Sequence, residues 1–198
     1  MKILFLGNSF TFYHDLPDMA AEILQAEVKG NLRGGAYLHQ HIDPSDELCA
    51  ITRKLLTEET WDYVVLQDQS QGPITNPEEF SDAVAALSDM ARAAGATPVL
   101  YETWAYEEGS ETLASTGMTF FEMQQKLSAG YHRAAAANQA LLAPVGQVFA
   151  AVRKTTPLYD AVDHYHPSQA GSRLAAETIA AVIQMHQSIA SPEGIAAP

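Results

Sequence analysis

The sequence predicts an α/β protein built on a parallel sheet with helices on both faces. Short apolar runs recur along the chain, at residues 3–6, 63–66, 98–101 and 141–145. Between them lie longer segments whose apolar residues fall at three- and four-residue spacing, the period of a helix with one buried face. Strands alternating with helices of about 10–15 residues form βαβ units, and such crossovers make the neighbouring strands parallel.

Taken in order, residues 3–6 read as a buried strand entered almost at the first residue. Leu16, Met19, Ala20, Ile23 and Leu24 predict a first helix over about 15–28. Residues 29–44 carry glycines and histidines with little periodicity, and read as loop with at most a weak edge strand. Leu48, Ile51, Leu55 and Leu56 mark a second helix. Cys49 lies on its apolar side and reads as a small buried hydrophobe; as the single cysteine it can form no intramolecular disulfide. Residues 63–66 are the second strand. Phe80, Val84, Leu87 and Ala91 form a third helical stripe, and Gly95 suits its stop. A strand begins at Pro98. Residues 107–117 are polar and patternless, which predicts a surface loop. Phe120, Met123, Leu127, Tyr131 and Ala134 define a fourth helix. The last strand, at 141–145, is followed by a short helix over 147–153, and Leu174, Thr178, Val182 and Met185 lie on a terminal helix. No repeat or low-complexity linker divides the chain. A length of 198 residues suits one domain, over 1–190, with 191–198 as a loose tail.

Composition narrows the function. Eleven basic against 24 acidic residues give a formal net charge of −13. That argues against a nucleic-acid surface, which needs Lys and Arg to displace counterions, and disfavours anionic lipid. The apolar run at the N-terminus is four residues long, against about 7–15 in a signal peptide, and no stretch approaches the roughly 20 apolar residues of a membrane span. A cytoplasmic protein acting on a small molecule is the expectation.

In a parallel α/β sheet, ligands bind at the carboxyl ends of the strands. Gly7-Asn8-Ser9-Phe10-Thr11 stands at that end of the first strand. Gly7 permits a tight turn and Ser9 would project into the crevice. A helix cap or a phosphate-binding loop would use the same residues. Near the other terminus, Asp163-His164-Tyr165-His166-Pro167-Ser168 precedes the terminal helix. A serine hydroxyl needs a base, usually an imidazole held in one tautomer by a carboxylate. Asp163 stands three residues before His166 and can fold back onto its ring, while Pro167 keeps His166 on a loop. His164 competes for the base and Asp160 for the acid.

These two blocks together resemble the SGNH hydrolases, also called GDSL-type esterases, over essentially the whole domain. The resemblance implies a three-layer α/β/α sandwich of about five parallel strands in flavodoxin-like order, and catalysis without a cofactor. It implies Ser9, Asp163 and His166 as the catalytic residues. It also implies oxyanion donors from Ser9 itself, from a glycine block and from an asparagine block. Gly34-Gly35-Ala36-Tyr37 matches the glycine block, with Gly35 favoured over Gly34. The asparagine block is replaced by Gln67-Asp68-Gln69-Ser70, where Gln69 takes the role ahead of Gln67. Asn8 stands where the name-giving motif has Asp, so the chain resembles a divergent branch with GNSFT and LQxQS blocks.

Trp104 and Tyr106, just past a strand end, are expected on the rim, where they could stack on a sugar or acyl group. His39 and His41 could join His164 or His166 around a metal, but no carboxylate or cysteine pattern completes such a site, and none is expected. The function expected is hydrolysis of a carboxylic ester through an acyl-enzyme, with acetyl or short acyl groups on a carbohydrate or other small molecule as candidates. The alternatives are a non-catalytic flavodoxin-like phosphate- or nucleotide-binding module, and a degenerate hydrolase fold used for interaction.

Overall fold

The computed structural model describes residues 1–190; the tail expected at 191–198 lies outside them. Five strands, β1 (Lys2–Gly7), β2 (Glu27–Leu32), β3 (Tyr63–Leu66), β4 (Thr97–Tyr101) and β5 (Leu141–Ala143), form one sheet in the order β2-β1-β3-β4-β5, every pairing parallel. This is the flavodoxin-like order, and it places the end of β1 at the switch point where the winding reverses. Helices connect and cover it: α1 (Ser9–Phe12), α2 (Leu16–Leu24), α3 (Glu47–Glu58), α4 (Gly72–Thr75), α5 (Pro77–Ala93), α6 (Glu111–Ser115), α7 (Phe120–Ala137), α8 (Val145–Val152) and α9 (Gln169–Ala190).

Alternation along the central strands creates two cores, because successive side chains leave a strand on opposite faces. Ile3, Phe5, Val65, Val99 and Tyr101 pack with Ala20 of α2, Phe149 of α8 and Ile179 and Ile183 of α9. Leu4, Leu6, Val64, Leu66 and Leu100 pack on the other face with Leu56 of α3 and Val84 and Leu87 of α5. The result is a three-layer α/β/α sandwich whose central strands are buried on both faces.

The sequence reading did not include the short helices α1 and α4, and it differs at two further places. The first helix ends at Leu24, and residues 27–32 form β2 instead of continuing it. Gln25 takes the left-handed conformation at the C-cap (φ 49°), a position more often marked by glycine, so the stop carried no visible signal. β2 is an edge strand with little apolar alternation. Its inward Asn31 is satisfied by the Leu48 carbonyl and the Thr52 hydroxyl, both at 2.9 Å. Within the polar stretch 107–117, α6 forms because the Ser110 side chain accepts from the Leu113 N–H at 3.0 Å, an N-cap that offsets the lack of apolar period. Gly95 stops its helix as expected, with φ 80°. No helix among the described residues is long and apolar enough to cross a membrane.

The carboxyl edge beside β4 and β5 is packed too closely for any side chain at Gly146. A Cβ there would come within 2.2 Å of the Thr103 carbonyl oxygen and 2.4 Å of the Gln124 amide. Overpacking against backbone cannot be relieved by a rotamer change, so Gly146→Ala is expected to destabilise the fold by about 1–3 kcal/mol, read as a lower urea midpoint at unchanged slope. An unshifted midpoint would show that α8 moves freely.

Candidate active site

The site is assembled from both ends of the chain at the carboxyl edge of β1. The strand ends at Gly7, and Asn8 caps α1, its Oδ1 accepting from the Phe10 N–H at 3.1 Å. Capping puts Ser9 in the first helical position, at the wall of a cavity of about 330 Å³. Gly7 is glycine for a steric reason: a Cβ would stand 2.7 Å from Gln67 Oε1. That oxygen accepts from the Asn8 N–H (3.0 Å) and the Thr11 hydroxyl (2.8 Å), tying the β1 turn to the end of β3.

The other half comes from the segment between α8 and α9. It is pinned by an antiparallel bridge between Tyr159 and Pro167 and by the Ser168 hydroxyl, which donates to the Pro157 carbonyl at 2.7 Å. Asp163 folds back over the next three residues. Its Oδ1 accepts the N–H groups of Tyr165 (3.0 Å) and His166 (2.9 Å), and its Oδ2 accepts from His166 Nδ1 at 2.6 Å. With Nδ1 protonated, Nε2 carries the lone pair and accepts from the Ser9 hydroxyl at 2.7 Å. Burial alone would raise the Asp163 carboxyl. The hydrogen bonds from the Tyr165 N–H, the His166 ring and the His166 N–H outweigh it and hold the group below the usual carboxylate range.

Aromatic rings fix the imidazole in place. Tyr13 stacks on it (centroids 4.3 Å apart, planes at 14°), Tyr165 covers another side at 4.2 Å, and Phe10 meets it edge-on at 5.6 Å. The Tyr13 carbonyl accepts from the Ser172 hydroxyl of α9 at 3.0 Å, and His14 and Asp15 follow with φ of 55° and 56°. This tight corner brings Tyr13 against His166. Phe12, Tyr13, Tyr165 and Ser70 line the cavity, and the sequence reading gave none of them a part in binding; for Phe12 and Tyr13 the aromatic run Phe10-Phe12-Tyr13 beside Ser9 was the available signal.

The remaining candidates fall on both sides of expectation. Gly34, Gly35 and Gln69 all line the cavity, and Gly35 has φ 69°. Gln69 donates from Nε2 to Ser70 Oγ at 3.0 Å, while its Oε1 accepts from the Gln71 N–H at 2.8 Å. Gln67 is fully buried, its amide directed to the Asp68 carbonyl and its oxygen to the β1 turn, so it does not reach the cavity. His164 turns away with φ 62° and bonds Glu107 at 2.6 Å, and Asp160 Oδ1 accepts from the Val162 N–H; neither joins Ser9. His39 stacks on Tyr37 and faces Glu79, while His41 is buried against Thr52, so the histidines do not converge. Burial lowers the His41 pKa to about 4 and keeps that ring neutral.

Trp104 and Tyr106 are not on the rim. Trp104 is fully buried, sandwiched between Phe10 (4.5 Å) and Phe149 (4.1 Å), and its Nε1–H reaches the Tyr165 carbonyl at 3.0 Å. Tyr106 is buried behind the cavity wall, its hydroxyl 2.8 Å from Ser70 Oγ and accepting from Gln71 at 3.0 Å. Past β4 the chain turns inward, and the rings serve the scaffold that carries Ser9 and Tyr165.

A three-layer sandwich carrying a Ser–His–Asp hydrogen-bond chain at its switch point defines the class of protein. A solved structure from Slackia heliotrinireducens, assigned to the SGNH hydrolases, is 44% identical over 92% of this chain and 98% of its own, with a TM-score of 0.87. The chain belongs to the SGNH hydrolases. The fold also matches a catalytic mutant of an acetylxylan esterase from Geobacillus stearothermophilus (16% identity, 92% and 93% covered, TM-score 0.66). A DUF4886 family protein from Bacteroides uniformis matches at 18% identity (98% and 96% covered, TM-score 0.64). No family model and no curated protein matches the chain.

Beneath the Gln69 turn lies a buried acid, Asp68. Burial pushes its pKa up to about 6, against hydrogen bonds from the Leu38 N–H (2.7 Å) and the Gln69 N–H that favour the carboxylate. A carboxyl whose folded pKa is raised contributes most below its unfolded value near 3.9, and that contribution is lost as pH rises through the folded value. Wild type should therefore lose roughly 1–3 kcal/mol between about pH 4 and pH 7 relative to Asp68→Asn, measured by urea denaturation across that range. A constant difference between the two proteins would show that Asp68 titrates normally.

Proposed function

We propose that the protein is a serine esterase that hydrolyses a carboxylic ester through an acyl-enzyme. The observation that carries the proposal is the unbroken chain from Asp163 Oδ2 through His166 to Ser9 Oγ, with contacts of 2.6 and 2.7 Å. Nε2 takes the Ser9 proton as Oγ attacks the ester carbonyl, and the ionised Asp163 stabilises the imidazolium that forms. The carbonyl oxygen becomes an oxyanion, received by the N–H of Ser9 at the start of α1, the N–H of Gly35 and the second Nε2 hydrogen of Gln69. Donors preset for that charge act mainly in the transition state, each worth on the order of 3 kcal/mol of barrier. The imidazolium returns its proton to the leaving alcohol. Water, deprotonated by the same Nε2, then releases the acid, so the cycle needs no cofactor.

The cavity supports a small acyl group on a polar or sugar-like alcohol. Its volume is about 330 Å³, and Ser70 Oγ, bonded to the Tyr106 hydroxyl at 2.8 Å, sets a polar group in its wall beside Gln69. Phe12, which lines the cavity and is 40% exposed, offers an aromatic surface for stacking.

A screen of p-nitrophenyl esters of graded chain length, run beside acetylated sugars, tests the reading. Turnover should be highest for acetyl and fall with length. His166→Ala should lower kcat by several orders of magnitude, as when a triad member is lost, whereas His164→Ala should be mild. Gln69→Ala should lower kcat by about 10²–10³ with little change in KM. Full turnover by folded His166→Ala protein would remove the general base and the proposal with it.

A further inference from the structure

We infer that the side-chain amide of Asn8, the residue beside the nucleophile, is the positioning group that holds the three parts of the oxyanion hole in register, so that a carboxylate at this place disables this chain. The inference rests on the esterase reading above.

The argument begins with where each atom of Asn8 goes. The residue is 2 % exposed, its Oδ1 accepts from the Phe10 N–H at 3.1 Å, and its Nδ2 donates to two carbonyls at once. One is Ala36 O at 2.8 Å, directly after the Gly34–Gly35 turn, and the other is Asp68 O at 3.2 Å, directly before Gln69. The Gln67 amide points at that same Asp68 carbonyl. The Ala36 N–H is bonded to Arg33 O at 3.0 Å, and Arg33 makes a two-bond ion pair with Asp46 at 2.9 and 2.7 Å. The glycine turn is thus anchored by Arg33 on its outer side and by Asn8 on its inner side. One NH₂ group therefore spans the β1 turn, the glycine loop and the Gln69 loop, which are the three sources of oxyanion donors.

Both oxygen partners of Nδ2 are acceptors, and this decides what the position tolerates. The SGNH motif has Asp here. In this chain an ionised carboxylate would face Ala36 O and Asp68 O with no hydrogen to offer, buried and repelled by both. It would still cap α1, since Asp and Ser cap as well as Asn does. Capping and positioning can therefore be separated. Asn8→Asp and Asn8→Ser both keep the cap acceptor, and both lose the amide that ties the loops.

The experiment measures kcat and KM for p-nitrophenyl acetate with both variants, together with the inhibition constant of a phenylboronic acid, whose anionic tetrahedral adduct on the serine occupies the oxyanion hole. Asn8→Asp should lose about 10²–10³ in kcat and Asn8→Ser about 10-fold or more, with KM changed little and boronate inhibition weakened in parallel. The ratio of Asn8→Asp to wild-type kcat should rise as pH falls, because a protonated carboxyl regains one hydrogen to donate. Loss of folded protein alone would lower the active fraction without altering boronate affinity. Should Asn8→Asp fail to fold, Asn8→Ser carries the test. Folded variants with wild-type kcat and boronate affinity would reduce Asn8 to a helix cap and overturn the inference. A wild type that hydrolyses no ester would overturn the esterase reading and this inference together, a failure visible before any variant is made.

Discussion

The hydrogen bond from Ser9 to His166 joins residues 157 positions apart, so the site exists only when the whole sheet has closed. Ser9 rides on the end of β1, and His166 hangs from the start of α9. What sets their distance is the packing of α2 and α9 on the same face of the sheet, through Leu16, Ala20, Ile179 and Ile183. The Ser172 hydroxyl bonded to the Tyr13 carbonyl adds a direct tie between the two segments at the site itself. Stability and function are coupled through this one face, whereas the opposite face, with α3 and α5, supports the site through the strands and through Asp46, which caps α3 and holds Arg33 beside the glycine turn.

Closing the sheet is not sufficient, because the carboxyl edge is made of loops whose polar backbone must be satisfied away from water. The chain solves this with side-chain amides. Gln67 receives the Asn8 N–H and the Thr11 hydroxyl, Asn8 reaches Ala36 and Asp68, and Gln124 offers its oxygen to the Ala105 N–H (2.8 Å) and its amide to Glu102 (3.0 Å). An amide carries both a donor and an acceptor and has no charge to desolvate, so it bridges buried loops at lower cost than a carboxylate would. The two buried acids of this edge, Asp68 and Glu102, both have their pKa raised by burial. The GNSFT and LQxQS blocks are two halves of one amide network.

The fold was legible because its evidence is periodic. Residues 63–66 alternate between two cores and were readable as a strand, and the stripe of Phe80, Val84, Leu87 and Ala91 was readable as a helix. β2 was not, since an edge strand needs few apolar residues and Asn31 is satisfied by partners 17 and 21 positions away. Asp163 and His166 were legible as a pair because their contact is local, three residues apart, whereas their alignment on Ser9 followed from the family resemblance and the topology. Trp104 and Tyr106 were misplaced because a strand end predicts the edge of the sheet but not the direction in which the following turn folds. The choice between Gln67 and Gln69 also depended on orientation: residues two apart would share a face if the strand continued, but β3 ends at Leu66 and only Gln69 faces the cavity.

The central claim is that Ser9 is made nucleophilic by His166, and reaction with a fluorophosphonate tests it most directly. Intact mass and peptide mapping should find a single adduct, on Ser9, formed rapidly in wild type and almost not at all in His166→Ala. An adduct on Ser70 or Ser168 instead, or equal labelling of Ser9 in both proteins, would contradict the account.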